Sequence, residues 1–305
     1  MAKVFVAGSL NMDLVVTTKA LPRRGETVRG DRFTTYPGGK GGNQAVASAR
    51  LGANTTLVAR VGADRFGTDL RDSLSGQGID TELVRTAAGV SSGTALITVE
   101  ESGENSIVVV PGANAELKPE DVTDLPVSSG DIVLAQLEIP LESVMLLLTQ
   151  SRARGARTVL NPSPAIALSR ELFEASEIIV LNETELAFYT GHTDVQGRDR
   201  ALAAAKQLTL RTAQVAVVTL GSEGVVACCG SVEFVVPGYP VRVVDSTGAG
   251  DAFAGALAAL LSRGLSLSDC LSGANTAAAL SVQKPGAQSS PTKAEHDAAW
   301  APARA

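Results

Sequence analysis

Asp251 ends the segment Asp245-Ser-Thr-Gly-Ala-Gly-Asp251, in which Gly248 and Gly250 precede an apolar helical stretch at Ala252–Ser262. Glycines ahead of a helix let the backbone approach an anion closely, and the free N–H groups of the first turn add partial positive charge. A carboxylate at that point suits a general base working beside a phosphate. It equally suits an N-cap, because Asp is a preferred capping residue. A cap explains Asp251 but not the Gly-Ala-Gly that leads to it.

A second segment, Pro37-Gly-Gly-Lys-Gly-Gly-Asn-Gln-Ala45, sets four glycines around Lys40 and runs into a helix. It does not satisfy the Walker A pattern GxxxxGK[ST]. One reading is a loop with Asn43 as N-cap; the other is close approach to a polyhydroxyl ligand, with Asn43 and Lys40 donating. A third segment, Gly8-Ser-Leu-Asn-Met-Asp13, closes the first apolar run. In extended geometry Asn11 and Asp13 point the same way, which suits paired hydrogen bonds to sugar hydroxyls, with an Asx-turn as the alternative. The dinucleotide fingerprint GxGxxG is absent.

Three further signals are weaker. Asn182-Glu-Thr-Glu185 has capping-box spacing, and near a phosphate the same cluster would organise Mg²⁺ and water. Thr219-Leu-Gly-Ser-Glu-Gly224 follows an apolar run and reads as a tight turn. Glu138 follows the strand Ile132–Ala135 and has a solvated reading beside a functional one.

The elements that must hold these residues alternate. Apolar runs without period-2 alternation at 4–7, 56–61, 131–134, 158–160, 178–181 and 215–220 predict strands covered on both faces. Helical stretches are expected at 43–51, 66–77, 141–153, 183–190 and 200–210, with a helical Ala-rich region from about 251 to 282. This is an α/β layered fold with a largely parallel sheet. A strand is expected to lead into the glycines before Asp251. Two strand pairs, 14–18 with 27–35 and 94–100 with 106–110, lack crossover helices and predict antiparallel hairpins outside the main sheet, together a small lid. No linker or repeat divides residues 1–305, which read as one domain with lid strands from about 14–35 and 93–110. The tail at 298–305 is expected to fray.

At 305 residues, 45% hydrophobic and 19% charged, the chain has a globular composition. A net charge of −6 argues against a basic surface for nucleic acid or an anionic membrane, so a phosphate must be held by local donors. The N-terminal apolar run of about five residues is too short for a signal peptide, and no uncharged run reaches the roughly 18 residues that span a bilayer. Cys228, Cys229 and Cys270 lack metal spacing and are expected as buried free thiols in a reducing, cytoplasmic setting.

Taken in order, the segments from Gly8–Asp13 to Lys284-Pro-Gly-Ala-Gln-Ser-Ser290 resemble the ribokinase branch of the PfkB carbohydrate kinase family. Gly-Gly-Lys-Gly-Gly-Asn-Gln-Ala and Ser-Thr-Gly-Ala-Gly-Asp-Ala-Phe look like its two signatures. The resemblance implies a three-layer α/β/α core with a β lid that forms a homodimer interface. It implies ATP-dependent phosphorylation of D-ribose at the 5-hydroxyl, with Asp251 as base and Gly248, Ala249 and Gly250 as the anion hole. Asn11, Asp13, Gly39, Lys40, Gly41, Gly42, Asn43 and Glu138 match the sugar positions. Asn182, Thr219, Leu220, Gly221, Ser222, Glu223, Gly224, Gly250, Asp251 and Asn275 match the nucleotide positions. Glu185 matches a residue that helps position Mg²⁺. Asp245, Thr247, Ser281, Lys284, Gly286 and Ser290 match an activating K⁺ site, several through carbonyl oxygens.

Two rival readings remain. A relative acting on 2-deoxyribose, another sugar or a nucleoside differs by one or two hydroxyl contacts. A non-catalytic sugar or nucleotide sensor would be expected to lose the base or the glycines, and Asp251, Gly248 and Gly250 are all present.

Overall fold

Apolar runs that lack alternation become strands buried on both faces, and the helices between them cover those faces. The computed structural model describes residues 2–302. Strand β1 (Lys3–Ala7) leads through β2 (Asn11–Thr18) and β3 (Gly30–Gly38) to α1 (Lys40–Arg50), β4 (Asn54–Gly62), α2 (Arg65–Gly76) and β5 (Val84–Ala87). Then come β6 (Gly93–Glu100), β7 (Asn105–Val110), α3 (Pro119–Val122), β8 (Ile132–Ala135), α4 (Leu141–Ala153) and β9 (Arg157–Leu160). The chain continues with α5 (Arg170–Ala175), β10 (Ile178–Asn182), α6 (Glu183–Thr190), α7 (Arg198–Leu208), β11 (Val215–Thr219), β12 (Gly224–Cys229) and β13 (Val232–Pro237). It ends with α8 (Ala249–Ser262), α9 (Leu267–Ser281) and α10 (Lys293–Ala299).

The large sheet has the order β13-β12-β11-β10-β9-β8-β1-β4-β5. Pairing is parallel from β11 across to β5, while β12 and β13 join antiparallel at one end. Alternate strand residues serve opposite layers. Val4, Val6, Ile132, Leu134 and Val180 pack with α1, α8 and α9, whereas Phe5, Val133, Ala135 and Leu160 pack with α4. Ile179, Leu181, Ala216 and Val218 extend that second layer over α6 and α7. The three-layer expectation therefore holds.

Both predicted hairpins form, and they join into a separate sheet of order β3-β2-β6-β7 through a parallel β2–β6 pairing. Strand β1 lies between β8 and β4, where the chain order along the sheet reverses. A ligand crevice is expected at the carboxyl ends of the strands there.

Several local expectations need correction. The segment 238–248 before Asp251 is irregular, not a strand; Val243 and Val244 are exposed, and Val244 N donates to the Val282 carbonyl at 2.7 Å instead of to a neighbouring strand. Helix α1 begins at Lys40 with Gly39 as N-cap, so Asn43 is inside its first turn and caps nothing. Helix α8 begins at Ala249 with Gly248 as N-cap in the left-handed region, so Asp251 is not the cap. Cys228 and Cys270 are buried, but Cys229 is half-buried. Within the tail, residues 298–299 still belong to α10, and 303–305 lie outside the described residues.

Candidate active site

The polar side chains that converge here stand at strand ends, because a strand's last residues escape the apolar layers on both sides. Asn11 and Asp13 lie in β2, where they pair with Gly38 and Tyr36 of β3. Gln136 follows β8, Asn161 follows β9, Asn182 ends β10 and Thr219 ends β11. Facing them are the N-terminal turns of α1 and α8.

Asp251 is buried, and its two oxygens are held separately. Asn43 Nδ2 donates to Oδ2 at 2.9 Å and Gln44 Nε2 donates to Oδ1 at 2.9 Å. Its carboxylate thus faces α1 and does not fold back onto its own helix. The first-turn amides of α8 have no acceptor within the helix, though Ala249 N makes a long bond to Ser246 O at 3.3 Å, and they carry its positive dipole end. They line a polar cleft of about 170 Å³ together with Lys40, Asn182, Glu185 and Thr219. That cleft shares Thr219, Ser246, Ala249 and Gly250 with an adjoining, largely apolar cavity of about 470 Å³. Gly221, Ser222, Gly224 and Asn275 line the apolar cavity, and Asn275 Nδ2 donates to the Pro237 carbonyl at 2.9 Å. Leu220 and Glu223 do not line it: Leu220 is buried in the core, and the Glu223 carbonyl accepts from Gly238 N at 3.1 Å.

Glu138 is not a solvated surface carboxylate. Its Oε2 accepts from Ser9 Oγ at 2.5 Å and from the Lys40 amide at 3.2 Å, which ties the end of β1 to the start of α1. Gly41 and Gly42 allow this approach, since Gly42 N donates to Ser9 O at 3.0 Å and a Cβ on Gly41 would lie 2.7 Å from Gly8 Cα. Gly38 does the same for Asp13, whose Cγ would lie 2.6 Å from a Cβ at that position.

Charge is concentrated in this pocket. Burial, with the Glu138 and Asp251 carboxylates adding, pushes the Asp13 carboxyl up to about 7. Burial pulls the Lys40 ammonium down, but Asp251, Glu138 and Glu185 together outweigh it and leave it above its usual value. Lys40 is thus the local counter-ion of three carboxylates.

Residues expected around cations divide. Glu185 closes a capping box, its Oε2 accepting from Asn182 N at 3.0 Å while Asn182 Oδ1 accepts from Glu185 N at 2.8 Å. Asp245 accepts from Thr247 N and Gly286 N, each at 2.9 Å; burial opposes ionisation, but these bonds hold its carboxyl below the usual range. Ser290 Oγ is buried without a partner. The Lys284 ammonium turns to Glu295 at 2.6 Å, and Ser281 Oγ donates to Ala278 O at 2.8 Å. Among the described residues no group of three or more His, Cys, Asp or Glu side chains could hold a metal ion. No helix among them is long and apolar enough to cross a membrane.

Sequence reasoning overlooked four amides. Asn114 is buried; its Oδ1 accepts from Leu10 N at 2.8 Å and its Nδ2 donates to Asn11 Oδ1 at 2.7 Å, which fixes the Asn11 side chain. Gln44, Gln136 and Asn161 form a buried group behind Asp251. The available signal was a single amide at the end of an apolar run, as at Gln136 and Asn161.

A model of the pfkB family carbohydrate kinases matches residues 1–294. The chain belongs to this family. It is 42% identical over 296 residues to a ribokinase of Mus musculus, covering 95% of this chain and 91% of that protein. It is 35% identical to a deoxyribokinase of Salmonella typhi, covering 94% of each chain. A structure of Arabidopsis thaliana ribokinase complexed with ribose and ATP superposes with a TM-score of 0.87 at 31% identity, covering 98% of each chain. The α/β/α core with a small second sheet is thus the family's architecture.

Proposed function

We propose that this chain transfers the γ-phosphate of ATP to the primary 5-hydroxyl of D-ribose, giving D-ribose 5-phosphate, with Asp251 as general base. The observation that carries this reading is the position of Asp251. Its carboxylate stands where the polar group of Asp13, Lys40 and Asn43 meets the first turn of α8 and the polar cleft beside it. Asp251 takes the hydroxyl proton as that oxygen attacks phosphorus and the bond to ADP breaks. The Ala249 and Gly250 amides, at the N-terminus of α8, neutralise the charge that develops on the transferring group. Asn11, Asp13, Glu138 and Asn43 hold the sugar hydroxyls. The apolar cavity beside Gly221, Gly224 and Asn275 takes the adenosine of ATP.

The cation assignments belong to the same proposal. The donors at Asp245 and Ser290 are oxygens, one of them a buried hydroxyl with no protein partner, which fits a hard monovalent ion such as K⁺. Glu185 borders the polar cleft with Asp251, which fits an indirect hold on Mg²⁺ through water. When bound, these ions supply charge neutralisation along the phosphates and order the loop before α8. The four-stranded sheet acts as the lid of a single catalytic unit. Its exposed Phe33, Leu96, Val108 and Val110, which share one face of the sheet, support a homodimer through that sheet; a monomer by sedimentation at micromolar concentration would remove the dimer. The three free thiols suit the cytoplasm, which cell fractionation tests.

The deciding experiment is ADP release with D-ribose, 2-deoxyribose, fructose or adenosine, in K⁺ or in a large organic cation. Ribose-dependent release is expected, with K⁺ faster. Release with 2-deoxyribose alone moves the chain to the alternative substrate, and equal rates in both cations remove the K⁺ site. Asp251→Asn is expected to keep ribose and ATP binding while kcat falls at least ~10²-fold. Near-normal turnover of that variant would refute the base.

A further inference from the structure

Gln44 and Gln136 lie behind Asp251 and line neither cleft, while Asn161 also borders the polar cleft; each of the three is buried. Gln44 Nε2 donates to Asp251 Oδ1 at 2.9 Å and to Asn161 Oδ1 at 3.0 Å. Its Oε1 accepts from Gln136 Nε2 at 2.6 Å. Asn161 is fixed in turn, because its Nδ2 donates to the Val180 carbonyl at 2.9 Å. An amide can present either oxygen or NH₂ to a neighbour, and only the NH₂ face suits a carboxylate. In Gln44 the alternative orientation would set Oε1 against both the Asp251 carboxylate and Asn161 Oδ1, which the bond from Asn161 to Val180 holds in place. The group therefore admits one orientation of the Gln44 amide.

Helices α1 and α8 converge on the ends of β8 and β9 to build this arrangement, and glycines permit two of the approaches. A Cβ on Gly8 would collide with Gln136 Oε1 and would lie 2.7 Å from Gly41 Cα. A Cβ on Gly255, one turn beyond Asp251 on the same face of α8, would collide with the Gln44 carbonyl and would lie 2.7 Å from Ala47 Cβ. Helices α1 and α8 thus cross closely enough to bring the Gln44 amide onto the carboxylate.

We propose that Gln44 is a positioning residue for the base, its amide locked by Gln136 and Asn161 so that Asp251 keeps one carboxylate orientation toward the acceptor hydroxyl. Gln44 is not given a contact with either substrate; it acts through Asp251. The inference rests on Asp251 being the base. It goes further in assigning the control of that base to a buried amide relay running from β8 and β9.

The test compares Gln44→Met, Gln136→Met, Asp251→Asn and Gln44→Met/Asp251→Asn in ribose-dependent ADP release, with ribose and ATP binding followed by calorimetry. Met keeps the chain length of Gln and removes both donors. Misplacement of a catalytic group by about 1 Å costs up to ~10²-fold, so Gln44→Met is expected to lower kcat by about 10- to 100-fold with both KM values within threefold. Gln136→Met keeps the donor to Asp251 but frees its orientation, so a smaller loss of kcat is expected. In the Asp251→Asn background Gln44→Met should add less than about threefold, because residues acting as a unit are non-additive. Wild-type kcat in a folded Gln44→Met enzyme overturns the inference, as does an equal fractional loss in both backgrounds. If Asp251→Asn itself turns over normally, the base assignment fails first, and the double variant tells the two failures apart.

Discussion

Gly255→Ala separates a helix that is merely helical from one that must touch its neighbour. In an exposed helix the replacement of Gly by Ala stabilises by about 1 kcal/mol. Gly76, the last residue of α2, lacks a positive φ and has nothing within 4 Å of the place a methyl would occupy, so Gly76→Ala should show part of that gain. At Gly255 a Cβ would lie 2.7 Å from Ala47 Cβ and closer still to the Gln44 carbonyl, whereas ordinary contact begins at 3.4 Å. The difference, 3.4 − 2.7 Å, requires α1 and α8 to part by at least 0.7 Å. Overpacking of this kind costs about 1–3 kcal/mol, so the net effect is a loss of about 0–2 kcal/mol, or a few degrees in Tm. The same displacement moves both Asn43 and Gln44 away from Asp251. A shift approaching 1 Å costs up to ~10²-fold in rate, so kcat should fall by at least about 10-fold in a protein that still melts cooperatively. The assays are calorimetric melting and steady-state ADP release, with Gly76→Ala as the control. If Gly255→Ala gains stability like Gly76→Ala and keeps wild-type kcat, the helix crossing does not set the base, and the reasoning is wrong.

Two pH responses follow from buried groups. The Asp13 carboxyl, held at about 7 by burial with Glu138 and Asp251 nearby, lies above its ordinary 3.8, so the native state keeps a proton that the unfolded chain has lost. Stability contributed by that proton is full below about pH 4 and is lost as pH rises toward 7. Melting curves of Asp13→Asn should therefore run ever further above those of the parent between pH 4 and 8; a constant offset would refute the shift. His296 is buried with Nε2 2.9 Å from the Gly273 carbonyl, and burial outweighs that bond and Asp297 to lower its pKa. The native state then binds fewer protons than the unfolded chain, and stability drops as pH falls below 6.5. The parent should lose up to about 1.4 kcal/mol per pH unit more than His296→Gln below that point, measured by denaturant midpoints at pH 5, 6 and 7; parallel curves would sink the assignment.

Much of the site was legible because its glycines cluster in sequence. Runs such as Gly38–Gly42 and Gly248–Gly250 weaken the helix or strand they enter, so they mark a backbone that something approaches. The helical and strand spans were legible for the reason that parallel strands buried on both faces read as short apolar runs. What failed was non-local. The parallel β2–β6 pairing joins residues some eighty positions apart, and nothing in either strand names its partner. The run Val241–Val244 has strand composition, yet Val244 N donates to the Val282 carbonyl at the end of α9 and not to a strand, and Val243 borders the apolar cavity. Asp251 had an acceptable local reading as a cap, and only the backbone at Gly248 removes it.

The amides behind Asp251 were hidden for a different reason, and it bears on how the site is built. Gln44, Gln136 and Asn161 come from three elements, and each alone looks like a polar residue at the edge of an apolar stretch. Their meaning is pairwise: a buried amide is costly unless both its donors and its acceptor are matched. Gln44 meets that condition through Asp251, with Gln136 on one side and Asn161 on the other, whereas Gln136 Oε1 is left without a protein partner. The isolated glycines Gly8 and Gly255 are the trace that this packing leaves in the sequence, because a methyl at Gly8 would enter the group and one at Gly255 would push against the α1 backbone that carries Gln44. Unlike Gly39 and Gly248 in the clustered runs, neither has a positive φ. Backbone freedom therefore does not explain them, and close approach does. A lone glycine with an ordinary backbone, one helical turn from a candidate base, is thus itself a signal that the base is held by a neighbouring element.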